Sequence, residues 1–311
     1  MALKLVSVIV NCYNSEKYLH EAIDSIYNQT YNNYEIILLD NASNDMTEEI
    51  AKSYSGLKMK YFRTEKTIPL GAARNKALDH ATGDYIAFLD SDDIWEPDKI
   101  EKQISLMEGR KEAAVSYTNA LYFSESKVND EFRLYSTIQP SGKIFPELLV
   151  NYNMCLSTAM IRRSVLELLA EVFDGSLAVA EEADLFIRLS LENEFLYLPE
   201  TLTRYRMHTE SLSSTSKHLF STESGIILKK IRRMGKSVVG PFSNEIKIFE
   251  ARISYTLALQ EMMQDRRKNA RNILNPFIWI HSRSFILFAI SFFPVKYFFF
   301  FKKTFGKPYT T

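Results

Sequence analysis

Between residues 5 and 117 the chain alternates short apolar runs with amphipathic helical patterns, and several of the runs end in a polar cluster. Residues 5–11, 34–40, 58–62, 84–89 and 113–117 read as buried strands, and residues 16–29, 46–54, 72–81 and 98–108 as helices between them. In the first helical pattern Leu19, Ala22, Ile23, Ile26 and Tyr27 fall on one stripe. Starts are marked by Asn14 or Ser15, by Asn44-Asp45, and by Pro97. Such alternation predicts an α/β protein with a mostly parallel central sheet flanked by helices. In sheets of that kind the ligand crevice lies beyond the carboxyl ends of the strands. Three polar clusters fall there, at residues 11–14, 40–45 and 90–93.

Further along, residues 157–161 read as a strand and 183–192 as a helix, followed by a short strand at 195–198 and an arm at 201–208. Residues 216–234 and 244–263 read as two helices, broken at Gly240-Pro241. A length of 311 residues with 46% hydrophobic content gives one large domain or two smaller ones and excludes wholesale disorder. The two cysteines, Cys12 and Cys155, form neither a disulfide framework nor a metal spacing, which favours a reducing, cytoplasmic setting.

The formal net charge of zero conceals a split: residues 201–311 carry 19 Lys+Arg against 6 Asp+Glu, so they stand at +13 and residues 1–200 at −13. The basic part therefore expects an anionic surface, nucleic acid or membrane. Residues 284–295 are free of charge and bracketed by Arg283 and Lys296, with Tyr297, four phenylalanines, Lys302 and Lys303 following. Aromatics beside basic residues suit a bilayer interface, while Pro294 and Lys296 argue against a spanning helix. The alternative is a helix packed on its own domain. No signal peptide is expected at the N-terminus, and no run reaches the ~18 apolar residues that span a bilayer.

Five constellations carry chemistry. An apolar strand delivers Asp90, Asp92 and Asp93 within four positions, and carboxylates so close call for a cation, of which Mg²⁺ or Mn²⁺ suits oxygen donors best. An acidic cap for the helix near Pro97 is the plainer reading. Asp40-Asn41 at a strand tip can accept the imide proton of a pyrimidine, or can simply cap a turn. Gly71 and Arg74 open a helix, a place for an anion or a base, or a solvated helix face. Glu181-Glu182 begin another, either as dipole partners or as a general base. Finally, Arg204, Arg206 and His208 alternate along an arm that could reach a diphosphate.

Taken together and in this order, from about Leu5 to Ser213, the set resembles the family 2 glycosyltransferases of the bacterial surface-polysaccharide type, inverting enzymes with the GT-A nucleotide-diphospho-sugar transferase fold. The resemblance implies a nucleotide-binding turn at Asn11 and Tyr13, and an Asp-x-Asp motif at Asp90-Ser91-Asp92 in which Asp92 binds Mn²⁺ or Mg²⁺. It puts Asp40, Asn41 and Arg74 beside the base, with Asn41 where relatives carry Asp. It assigns the catalytic base to Glu182, a Glu in place of the family's Asp, with Glu181 as second candidate. Arg206 and His208 fall on the arm that closes over the diphosphate.

The implied organisation is a catalytic domain over residues 1–215, split at 119/120 into nucleotide-sugar and acceptor halves, then a helical C-terminal region over 216–311 with a membrane-associating tail at 277–303. The expected partners are a nucleotide-sugar donor, most simply a UDP-sugar, a saccharide or lipid-linked saccharide acceptor, and the inner face of the cell membrane. Neither G-x-G-x-x-G nor a phosphate-loop G-x-x-x-x-G-K is present, which removes the dinucleotide and ATP-loop classes. No nucleic-acid module accompanies the basic residues. The alternative from another class is an inactive module of the same fold serving as a partner or scaffold, for which Asn41 and Glu182 are the two pertinent departures.

Overall fold

The computed structural model describes residues 3–54, 56, 58–124 and 131–294. The loop expected around 125–130 and the tail beyond 294, with Lys296, Tyr297, Lys302 and Lys303, lie outside the described residues. The chain folds as two compact units, Met1–Phe145 with Met154–Thr215, and Pro146–Asn153 with Ser216–Thr311.

The first unit is built on one sheet, nine-stranded among the described residues. Its strands are β1 (Val6–Cys12), β2 (Tyr34–Asp40), β3 (Met59–Arg63), β4 (Tyr85–Phe88), β5 (Ile94–Trp95), β6 (Ala113–Phe123), β7 (Phe132–Arg133), β8 (Met160–Arg162) and β9 (Glu194–Arg206). They lie in the order β3-β2-β1-β4-β8-β6-β9-β5, with β7 added beside β6. β1, β2 and β4 are β-branched or aromatic sequences buried on both faces, as parallel strands covered by helices must be. The register aligns their carboxyl ends: Cys12 pairs with Asp40, Asp40 with Arg63, and Ile9 with Phe88. The three polar clusters therefore emerge along one edge.

Helices α1 (Leu19–Tyr27), α2 (Thr47–Ser53), α3 (Leu70–Leu78), α4 (Lys99–Glu108) and α5 (Glu181–Glu192) belong to this unit. The stripe on α1 is realised, with Leu19, Ala22, Ile23 and Ile26 buried against Val8, Val10, Ile36 and Leu38. Burying side chains of this size stabilises by about 1.5–3 kcal/mol each.

The sheet is parallel only in its β3-β2-β1-β4 half and across β6 and β9; β8 runs antiparallel to β4 and β6, and β5 to β9. The expected strand at 157–161 is instead a 3₁₀ turn, Leu156–Thr158, followed by β8. Thr158 Oγ1 donates to the Cys155 carbonyl at 2.6 Å, a local bond that favours a turn over a ladder. The expected short strand and arm merge into β9, where the pairing jumps from Thr118↔Leu198 to Asn119↔Thr201. The bulge accommodates Pro199, which has no N–H to give a ladder.

The second unit contains α6 (Lys217–Arg233), α7 (Ser243–Met263), α8 (Arg267–Leu274) and α9 (Ser282–Ile290). Its small core joins Ala258, Met262, Ala270, Leu274 and Leu287. Segment Pro146–Asn153 packs here too, with Arg252 Nη1 donating to the Val150 carbonyl at 2.7 Å. Among the described residues no helix is long and apolar enough to cross a membrane.

Candidate functional site

The turn after β4 delivers Asp90, Ser91, Asp92 and Asp93, and each goes to a different environment. Asp93 is buried and turns inward: its Oδ2 accepts from Ser157 Oγ at 2.7 Å and its Oδ1 from the Arg206 N–H at 3.0 Å. Burial, with Asp92 and Asp90 nearby, pushes its carboxyl well above the usual range. Asp90 Oδ1 is 3.1 Å from Arg74 Nη2, and its N–H donates to Ser157 Oγ at 3.1 Å. Ser91 Oγ meets Ser15 Oγ at 2.8 Å. Asp92, partly open to solvent, places Oδ2 2.8 Å from His208 Nε2. His208 Nδ1 is buried without a hydrogen-bond partner among the described residues.

Ser157 was not legible as a site residue. It lies 64 positions from Asp93 with no motif around it, yet its hydroxyl bridges Asp90 and Asp93. Its carbonyl accepts from Trp95 Nε1 at 2.8 Å and Thr203 Oγ1 at 3.1 Å, which ties the 3₁₀ turn to β5 and β9.

Arg74, on α3, is buried and forked between two carboxylates, Asp90 on one side and Glu181 on the other. Gly71 allows this, since a Cβ there would lie 2.3 Å from the Asp174 carbonyl oxygen, and α3 could not come so close. Glu181 at the start of α5 is thereby a buried ion-pair partner. Glu182, its neighbour, is only part-buried, and its Oε2 accepts from the Leu156 N–H at 3.1 Å. Burial raises the Glu182 carboxyl, Arg74 pulls it back and Glu181 adds to the rise; the outcome is pushed up to about 8.

Two more of these residues are held by partners from other elements. Arg206 is not an open arm but is buried, with Nη2 2.8 Å from Glu21 Oε2 and Nε donating to the Asp92 carbonyl at 2.9 Å, its guanidinium over the Tyr18 and Phe123 rings. It braces the acidic turn, because β9 extends as far as Arg206, its last residue, and pairs it with Phe123 of β6. Asn41 is likewise engaged: Oδ1 accepts from the Ile68 N–H at 3.0 Å and Thr64 Oγ1 at 3.2 Å, and Nδ2 donates to the Ile68 carbonyl at 2.8 Å. Its amide mimics a backbone pairing and holds the segment before α3.

Asp40, fully buried, accepts from the Ser43 N–H, the Tyr61 hydroxyl and Arg63 Nη1, and so shapes the strand tip. Ala42 in that tip has φ 61°, a conformation that non-glycine residues adopt at some cost. Asn11 Nδ2 is buried without a partner among the described residues, and Tyr13 is half exposed at the end of β1. One crevice edge thus gathers Asn11 and the exposed Tyr13 at the carboxyl end of β1, a buried carboxylate–arginine network, a carboxylate–histidine pair and a carboxylate of raised proton affinity.

A mixed sheet with such an acidic edge defines a nucleotide-sugar transferase type of architecture, and the comparisons with known proteins agree. The model of Glycosyl transferase family 2 matches residues 7–169. EpsE of Bacillus subtilis (strain 168), assigned as a glycosyltransferase, is 32% identical over 278 residues, which cover 86% of this chain and 95% of EpsE. The UDP-Glc:alpha-D-GlcNAc-diphosphoundecaprenol beta-1,3-glucosyltransferase WfgD of Escherichia coli is 30% identical over 212 residues, covering 68% of this chain and 80% of WfgD. Among solved structures, S. aureus TarS 1-349 in complex with UDP-GlcNAc superposes with a TM-score of 0.69 at 21% identity, over 92% of this chain and 84% of that one. The mannosyltransferase PcManGT from Pyrobaculum calidifontis, in complex with GDP-Man and Mn²⁺, gives 0.60 at 17% identity, over 96% and 84%. The chain belongs to the family 2 glycosyltransferases, and its fold is the GT-A fold.

Proposed function

We propose that this protein transfers a sugar, with inversion, from a nucleoside-diphosphate donor to a hydroxyl of a saccharide or lipid-linked saccharide in cell-surface glycan assembly. The observation that carries the reading is the place of Glu182, at the start of α5 beside the Arg74–Glu181–Asp90 network, where burial raises its carboxyl and suits it to accept a proton. Glu182 would take the proton of the acceptor hydroxyl as that oxygen bonds to the anomeric carbon and the nucleoside diphosphate departs from the opposite face. Arg74 keeps Glu181 and Asp90 from adding two unpaired charges beside it. Arg206 and Ser157 hold the acidic turn in place.

No three ligating side chains gather among the described residues, so the chain offers a divalent cation two donors, Asp92 and His208. That suits Mg²⁺ or Mn²⁺, which fill their remaining positions with phosphate oxygens and water. Such a cation would offset the charge growing on the leaving diphosphate. The donor is read as a UDP-sugar, supported by the UDP-GlcNAc bound in TarS; GDP-Man in PcManGT makes guanine the alternative to be measured. The lipid-diphosphate acceptor in the name of WfgD supports an acceptor met at the inner face of a cell membrane.

Isothermal titration of UDP, GDP, dTDP and CMP, with and without Mn²⁺, against wild type and Asp92→Ala tests this reading. Metal-dependent binding of one nucleotide, lost in Asp92→Ala, is expected. Absence of binding to all four by folded protein would favour the inactive scaffold.

A further inference from the structure

Helix α9 carries apolar side chains on its outer side as well as its inner one, where Leu287, Phe288 and Ile290 pack on the core. Its buried side carries Ser284, Leu287 and Ser291, the two serines fully enclosed. Its outer side, continued by the turn that follows, carries Phe285, Ile286, Phe292 and Phe293, between 47% and 61% exposed. Phe285 and Phe292, and Ile286 and Phe293, stand seven positions apart, which puts the second pair roughly below the first along the helix and its closing turn. Trp279, 85% exposed, extends this outer side, with its ring 5.8 Å from that of Phe285. Large aromatics are rarely gathered in water without a partner.

The rim of this crest is cationic. Arg271 Cζ lies 4.7 Å over the Phe292 ring, and its Nη1 donates to the Ser291 carbonyl at 2.7 Å, which fixes a guanidinium at the edge of the apolar stripe. Arg283 is exposed on α9 itself. The His281 imidazole is held below its ordinary value by burial and then by Arg283 and Arg252, three basic groups drawn together. Arg267 pairs with Asp265 and Arg266 with Glu261, but no carboxylate pairs with Lys268, Arg271 or Arg283 among the described residues. A second copy of the chain would bring one cationic rim against another. An anionic lipid surface complements both features, with aromatics at the acyl boundary and guanidinium groups at phosphate depth.

We propose that α9 and Trp279 form a docking face for an anionic lipid surface, with Phe285, Ile286, Phe292 and Phe293 entering the acyl boundary and Arg271 and Arg283 meeting headgroup phosphates. The face belongs to the second unit and the acidic crevice to the first, and the proposal stands whether or not the catalytic reading does.

The test is flotation of the full chain with vesicles of phosphatidylcholine alone, or with about one third phosphatidylglycerol. Wild type is expected to float with the anionic vesicles and poorly with the neutral ones. The double variant Phe285→Ser/Phe292→Ser is expected to lower the bound fraction roughly tenfold or more, and Arg271→Gln/Arg283→Gln to remove the preference for anionic lipid. Unchanged circular dichroism and melting temperature show that each variant is folded. Wild type that stays unbound, or a crest variant that floats as wild type does, overturns the proposal. So does a concentration-dependent dimer in light scattering that the crest variant dissolves, which would make a second copy the occupant.

Discussion

At Glu182 three influences compete: burial disfavours its charge, Arg74 favours it, and Glu181 opposes it. Because the folded-state value is raised to about 8 from 4.5, the folded protein holds a proton through that window where the unfolded chain has released it. Stability from this group is therefore present below pH 4.5 and is lost as pH rises towards 8. In urea unfolding Glu182→Gln should be more stable than wild type at and above pH 8, by up to about 5 kcal/mol for a rise of this size, and match it below about pH 4. Activity should run the other way, with wild-type kcat/KM climbing with pH, half-maximal near 8 and levelling about one pH unit above. The Gln variant should lose about 10²–10⁴-fold while still binding the nucleotide. A variant with near-normal turnover would transfer the base assignment to Glu181. The carboxylates themselves were legible, since three acids at a strand end and a Glu-Glu pair at a helix start are sequence facts. That Arg206 faces inward and Asn41 pairs with Ile68 was not, because both depend on partners brought from other elements.

At the scale of elements, α3 matters most for the site, since it carries Arg74 and must lie against the 173–177 segment. Asn75 reinforces the contact, donating to the Phe173 carbonyl at 2.7 Å and accepting its N–H at 3.0 Å. Gly71→Ala forces a Cβ onto the Asp174 carbonyl and should cost about 2–3 kcal/mol in urea unfolding. Gly225→Ala, inside α6 with nothing within 4 Å of the added atom, should instead stabilise by about 0.5–1 kcal/mol. Equal effects of the two substitutions would refute the close-approach argument for α3. Strands β1, β2 and β4 were readable because each is a mostly apolar run that can only be buried. β9 was read as two pieces because Pro199 looks like a terminator until a bulge in its pairing with β6 absorbs it.

For the whole molecule, 38 basic and 38 acidic residues, separated into an acidic first two thirds and a basic last third, give a strongly dipolar chain of zero net charge. Solubility should pass through a minimum near pH 7 at low ionic strength and recover on adding about 0.3 M salt, which screens attraction between oppositely charged parts of neighbouring molecules. Light scattering across pH and salt checks this; a minimum that salt deepens would point to apolar association instead. The sequence by itself determined the strand–helix order, the edge of the sheet where the chemistry collects, and the residue types that can move a proton or hold a cation, because these follow from local periodicity and short motifs. Only the tertiary structure decided that Ser157 joins Asp90 to Asp93, that Arg74 sits between Asp90 and Glu181, and that α9 buries Ser284 while Phe285 and Ile286 face solvent. Those outcomes depend on distances between residues far apart in the chain, and neither composition nor period encodes them.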